Sequence, residues 1–241
     1  MDKTSRVFLI AVILAVLLYL AYQFSTGYPL AERIKPPGKK PAPIAPDNGQ
    51  NAPDTADSPE RGAVRVTSTV LWYEPGQKRD YDGLLLKENN DPAGWANGMD
   101  GDMRLWLVGK AETMALLGEP VVILERQGEW IKVAAELQRT ALNALGYPGW
   151  VPASHVVSND VYDKELKSLP NVVVTEKSAL VFTNPVLTEP LGEAVYMTRL
   201  PLLEEGGQTV TVRLPGGDRG YISRGCVKKT GDLCFSQAGI V

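Results

Sequence analysis

The 241-residue chain carries 25 lysines and arginines against 28 aspartates and glutamates; a net charge of -3 argues against a nucleic-acid or anionic-surface ligand. One histidine, His155, and two cysteines, Cys226 and Cys234, exclude a four-ligand zinc site built without carboxylates. Twenty-three glycines and eighteen prolines favour short strands and turns over long helices.

The chain opens with an unbroken apolar run from Val7 to Tyr22, preceded by Lys3 and Arg6. The run is slightly short of the roughly 20 residues that span a bilayer, and Phe24 and Tyr28 extend it as an interfacial belt. The segment lacks an Ala-x-Ala cleavage site, and no cysteine follows it to make a lipoprotein. Residues 1–26 are therefore expected to be a signal anchor that contacts the membrane through residues 7–24. Its amino terminus would be cytoplasmic and the remainder extracytoplasmic. A cleaved signal, giving a secreted protein, is the alternative. Residues 27–62 hold eight of the eighteen prolines and few apolar side chains, a composition that predicts a disordered linker. Such a spacer reaches between about 33 Å, if flexible, and about 110 Å, if stiff.

From Ala63 onward the pattern is strand and turn. Val64 to Tyr73 alternates and ends at Glu74-Pro75-Gly76. Residues 77–103 read as a polar insertion, with Asp91-Pro92 starting a helix and Trp95 as its packing anchor. Arg104 to Val108 reads as a strand. Val121–Leu124 and Trp130–Val133 pair as a hairpin, and Gly149-Trp150-Val151-Pro152 closes the unit at an edge. The pattern then repeats. Gly118-Glu119-Pro120 through Ile131-Lys132-Val133 to Gly149-Trp150-Val151 is echoed by Gly192-Glu193-Ala194 through Val210-Thr211-Val212 to Gly220-Tyr221-Ile222. The expected fold is mainly β: two tandem small barrels of about five strands each, the first over 63–157 and the second over 171–228. Residues 158–170 connect them, with a helical turn near Asp163 to Leu169, and 229–241 form a tail.

Leu117-Gly118-Glu119-Pro120-Val121, Gly128-Glu129-Trp130-Ile131-Lys132-Val133 and Gly149-Trp150-Val151-Pro152 resemble bacterial SH3 domains. With Leu71-Trp72, Arg79-Asp80, Arg104 to Lys110 and Gly220-Tyr221-Ile222-Ser223, the stretch from Ala63 to Lys228 resembles a longer arrangement. It is similar to the double-SH3 amino-terminal half of γ-D-glutamyl-L-diamino acid endopeptidases, NlpC-type cysteine peptidases of the cell wall. The resemblance implies peptidoglycan stem peptides as partners, and a first barrel that meets the free amino terminus of the peptide through an acidic and an aromatic residue. Glu119 is the candidate carboxylate, and Glu74 beside Tyr73 is the alternative pair. The family's Asp-Cys-Ser-Gly motif and its downstream histidine have no counterpart here, so no catalytic residue is expected and the catalytic domain would be a separate one.

The remaining side chains are read against packing roles. Trp130 and Trp150 face inward by strand alternation. Trp72, Tyr73 and Trp95 flank irregular segments and are candidates for an aromatic ligand groove. Asp100-Gly101-Asp102 is a solvated turn rather than a calcium loop. His155 reads as a surface or hinge residue, and Cys226 as a small buried side chain in the last strand, free to form a disulfide with Cys234. No metal or cofactor is expected. The function that follows is peptidoglycan binding by a membrane-tethered module, the targeting half of a peptidase. An enzyme fragment and a protein–protein adaptor are the other readings.

Overall fold

The computed structural model describes residues 59–76 and 78–232. The expected signal anchor, most of the linker, the thiol of Cys234 and the last tail residues lie outside the described residues. No helix among the described residues is long and apolar enough to cross a membrane.

The first unit has strands β1 (Arg61–Val64), β2 (Ser68–Trp72), β3 (Ala111–Leu116), β4 (Pro120–Gln127), β5 (Trp130–Ala135), β6 (Tyr147–Pro152) and β7 (Val156–Val157). Between β2 and β3 stand three short helices: α1 (Gly83–Leu86), α2 (Pro92–Asn97) and α3 (Gly101–Trp106). Helix α4 (Asp160–Ser168) leads to the second unit. That unit has β8 (Asn171–Val174), β9 (Ser178–Phe182), β10 (Pro190–Val195), β11 (Arg199–Glu205), β12 (Thr209–Arg213), β13 (Arg219–Ser223) and β14 (Val227–Lys229).

The two sheets have the same plan. The first runs β3-β2-β6-β5-β4-β1-β7 and the second β10-β9-β13-β12-β11-β8-β14, antiparallel throughout. Each has seven strands rather than five, because the opening and closing strands are only two to four residues long, too short for a periodic signal. The edge strands do not pair with one another, so each sheet stays open where closed barrels were expected. Each nevertheless wraps one core. Val64, Leu71, Ala115, Val121, Ile131, Val133 and Val151 meet inside the first, and Val172, Val181, Ala194, Leu200, Val212 and Ile222 inside the second.

Matching strand by strand corrects the expected repeat. Gly149 and Gly220 are equivalent, since each faces the matching valine, Val133 and Val212, of the preceding strand. Gly118 matches Met197 rather than Gly192. Both donate their backbone N–H to the end of the opening strand, at Val64 and Val174, and both sit at positive φ, +82° and +70°. The shared Gly-Glu pair at 192–193 lies inside β10.

The insertion forms a second core on the outer face of the first sheet. Successive β2 side chains point to opposite faces, so Leu71 enters the inner core while Val70 and Trp72 meet Leu85, Trp95, Met99 and Trp150. The expected strand at Arg104–Val108 is instead α3. Asp100 caps it by accepting the Met103 N–H at 2.8 Å, and Asp102 and Arg104 suit the two ends of its dipole. The capping role of Asp91 is as expected: its carboxylate accepts the Gly94 N–H at 2.7 Å ahead of Pro92.

Candidate binding site

Helix α4 joins the units and touches both. Asn159 caps it, accepting the Tyr162 N–H at 3.0 Å. Tyr162 and Leu166, one turn apart, pack on Ala63 of the first sheet. The Tyr162 hydroxyl donates to the Gly118 carbonyl at 2.9 Å, and burial pushes its pKa far up. On the side facing the second sheet, Glu165 accepts Nε and Nη2 of Arg213 at 2.6 and 3.0 Å. Leu117 completes the junction, because its side chain belongs to the core cluster of the second sheet.

A cleft of about 220 Å³ opens along this junction, lined in part by Glu119, Leu137, Met197 and Arg199. Glu119 follows the Gly118 turn and is nearly buried. Its two oxygens accept the Leu116 N–H at 3.1 Å and the Gln138 side-chain amide at 2.9 Å. Burial raises its pKa above the usual carboxylate value, and the two hydrogen bonds oppose that shift. The carboxylate that the sequence nominated for an ammonium ligand therefore lies against this cleft with its oxygens already engaged.

The other nominated residues separate sharply. Tyr73 is 61% exposed and Glu74 is exposed beside it, at the end of β2, where a ligand can reach both. Trp72 and Trp95 are buried at 0% and 4%, which corrects their assignment to an open aromatic groove. Strand alternation does turn Trp72 away from the inner core, but the insertion covers that face, and Trp95 belongs to the layer that covers it. The Trp95 indole donates to Asp82 at 2.8 Å. Asp82 also accepts the Arg79 backbone N–H at 2.7 Å and the Arg79 guanidinium at 2.7 and 3.2 Å. Burial alone would raise the Asp82 pKa, but these donors outweigh it and hold the carboxyl below its ordinary value. Arg79 also stacks over Trp106, 4.4 Å from the ring centroid, and Trp106 meets Trp72 edge-on at 6.5 Å. Trp130 and Trp150, expected to face inward, instead face the outer layer: Trp150 is buried in the core beneath the insertion and Trp130 packs half-buried against that cluster.

His155 is fully buried, not a surface residue. Its Nδ1 lies 2.9 Å from the Thr69 hydroxyl and its Nε2 3.0 Å from the Leu86 carbonyl. A carbonyl can only accept, so Nε2 carries the proton and Nδ1 accepts from Thr69. Sequence reasoning missed this role, because nothing in a lone histidine signals that α1 will dock on it. Cys226 is half-buried in the turn before β14. Among the described residues no three His, Cys, Asp or Glu side chains gather as metal ligands.

Residues 174–229, nearly all of the second sheet, match the YKFC SH3b2 domain. The chain is 34% identical over 163 residues to a γ-D-glutamyl-L-lysine dipeptidyl-peptidase of Bacillus cereus (strain ATCC 10987 / NRS 248), covering 67% of this chain and 49% of that protein. It is 26% identical over 151 residues to the protein of the same name from Bacillus subtilis (strain 168), covering 62% and 49%. It thus spans about half the length of these curated relatives. The crystal structure of an NlpC/P60 family protein from Bacillus cereus ATCC 10987 superimposes with a TM-score of 0.67 at 32% identity, over 70% of this chain and 56% of that one. The second unit is accordingly an SH3b2 domain of the YKFC type, in a chain homologous to γ-D-glutamyl-L-lysine peptidases with an NlpC/P60 structural neighbour.

Proposed function

We propose that the paired SH3b units bind peptidoglycan stem peptides and position a cell-wall peptidase activity, held outside the cytoplasm by the apolar segment at residues 7–24. The observation that carries this reading is the duplicated sheet, similar in sequence to relatives named γ-D-glutamyl-L-lysine dipeptidyl-peptidases and in fold to an NlpC/P60 family protein. Tyr73 and Glu74 are the contact residues of choice, because they are exposed and sit next to a well-packed aromatic core that fixes their backbone. The purified full chain, in nonionic detergent, should co-sediment with purified peptidoglycan; retention no greater than that of an unrelated acidic protein rejects the reading. Carbonate-washed membranes from producing cells should retain the chain, and its release into the supernatant removes the tether.

A second reading is favoured by the relatives' length, of which this chain spans about half. Here the chain is one part of an NlpC-type cysteine endopeptidase that cuts γ-D-glutamyl–diamino acid bonds, with the catalytic domain supplied separately. The purified chain alone should leave such peptides uncut, and adding a catalytic domain in trans should restore cleavage. Cleavage by the chain alone would overturn its assignment as the binding half.

A further inference from the structure

A separate cleft, of about 340 Å³, opens on the first unit where the start of β5 meets the end of β6 and the insertion. Trp130, Pro152 and Leu86 give it an apolar lining, and Lys78, Glu129 and Ser154 a polar one. Strand pairing sets Trp130 opposite Pro152. Trp130 is half-buried: it packs against the aromatic core under the insertion and still lines the cleft. An indole already fixed by that core loses little freedom when a ligand arrives. Lys78, Glu129 and Ser154 are all exposed, so a ligand can reach them. No ion pair among the described residues includes Lys78 or Glu129.

The polar lining selects against ions of either sign. An ammonium only donates hydrogen bonds, an ionised carboxylate only accepts them, and a hydroxyl does both. An anion would suit Lys78 and oppose Glu129, and a cation would do the reverse. A neutral ligand rich in hydroxyls satisfies Lys78, Glu129 and Ser154 together. The same ligand must offer an apolar surface to Trp130, Pro152 and Leu86. A sugar ring has both, with C–H groups on its faces and hydroxyls around its rim. The volume is at the lower end of the ~300–1,000 Å³ of small-ligand pockets, which suits one or two rings. We infer that this cleft binds a neutral sugar ring of an oligosaccharide. Trp130 receives the face of the ring, and Lys78, Glu129 and Ser154 share its hydroxyls.

The site shares no residue with Tyr73 and Glu74, and it stands whether or not stem peptides bind the module elsewhere. Isothermal titration of the full chain with an N-acetylglucosamine trimer tests it, in a polyoxyethylene detergent that carries no sugar of its own. The trimer should bind one to one, and the tripeptide L-alanyl-γ-D-glutamyl-L-lysine, added first, should leave that affinity unchanged. Trp130→Ala should weaken the trimer at least about tenfold with unchanged circular dichroism. Should that variant not fold, Ser154→Trp, at an exposed position, should do the same by filling the cleft. No heat from the trimer up to about 10 mM, binding unchanged in the folded variant, or displacement of the trimer by the tripeptide overturns the inference. The wall-binding reading fails separately: wild type that binds the trimer without co-sedimenting with peptidoglycan would end that reading and keep this site.

Discussion

His155 and Cys226 hold the same position in the two copies. Each offers its backbone carbonyl, at 2.9 Å, to the N–H just after the opening strand, Arg65 for His155 and Thr175 for Cys226. The copies differ in what the side chain does next. In the first copy the imidazole reaches Thr69 and the Leu86 carbonyl and ties the inserted helices to the sheet; the second copy has no insertion to tie.

That difference makes the first copy acid-sensitive. Burial holds the His155 pKa below the ordinary 6.5, against the raising effect of the Leu86 and Lys87 carbonyls and of Glu88. The unfolded chain therefore takes up this proton first. The contribution is whole above about pH 6.5 and is lost as the pH falls below it toward the folded pKa. Denaturant melts should show wild type losing stability between pH 7 and 5 relative to His155→Gln, which should itself cost about 1–3 kcal/mol at pH 7.5. The comparison cancels Glu119, whose raised pKa acts in the opposite direction. A difference that does not vary with pH would refute the assignment.

Asp82 should be the most sensitive single residue of the insertion. It is completely buried, and its carboxylate accepts from Arg79 and Trp95. Asp82→Ala leaves the Arg79 charge without its partner, and a loss of about 3–5 kcal/mol is expected. Because Trp95 reports on the same contact, its fluorescence should change with or before the global unfolding transition.

Gly118→Ala and Met197→Gly test one backbone position twice. At Gly118 an added Cβ would meet the Tyr162 hydroxyl, the Arg199 carbonyl at 2.9 Å and Leu200 at 2.9 Å, in addition to the strain of φ +82°. A loss of at least about 2 kcal/mol is expected by thermal or chemical melting. Met197 already tolerates its φ of +70°, and Gly there relieves strain while adding chain entropy. The net change should stay within about 1 kcal/mol.

Glu165 and Arg213 should couple measurably. Both are largely shielded, and the pair is two-pronged. A double-mutant cycle with Glu165→Gln and Arg213→Met should give about 1–3 kcal/mol. The Arg213 hydrogen bonds lower the Glu165 pKa, so the contribution is present above pH 4.5 and fades as the pH falls below it. A coupling near zero would mean that the helix is held by Tyr162 and Leu166 alone.

Tyr73→Ala should weaken retention on peptidoglycan several-fold while shifting stability by no more than about 0.5 kcal/mol, because the ring is mostly exposed. Unchanged retention in a pull-down would remove Tyr73 from the contact surface.

Much of the fold was legible because strand and turn chemistry is local. Ile131-Lys132-Val133 and Val210-Thr211-Val212 alternate alike, and Gly149 to Pro152 aligns with Gly220 to Ser223. What was misread depended on tertiary context. A Gly-Glu pair at 192–193 imitates 118–119, while the true counterpart of Gly118 is a methionine whose positive φ no propensity reveals. Alternation turned Trp72 outward correctly but could not say that another layer lies there. Arg104 to Trp106 carries enough apolar residues for a strand, and the Asp100 cap decides for helix. In the candidate site, Glu119 and Tyr73 stood out by residue type.

Helix α4 is hydrogen-bonded to a turn of the sheet before it and ion-paired to a strand of the sheet after it. The tandem is therefore not two beads on a string. The freedom that one copy would otherwise have to move against the other is given up once, when the chain folds, and not again at any later encounter.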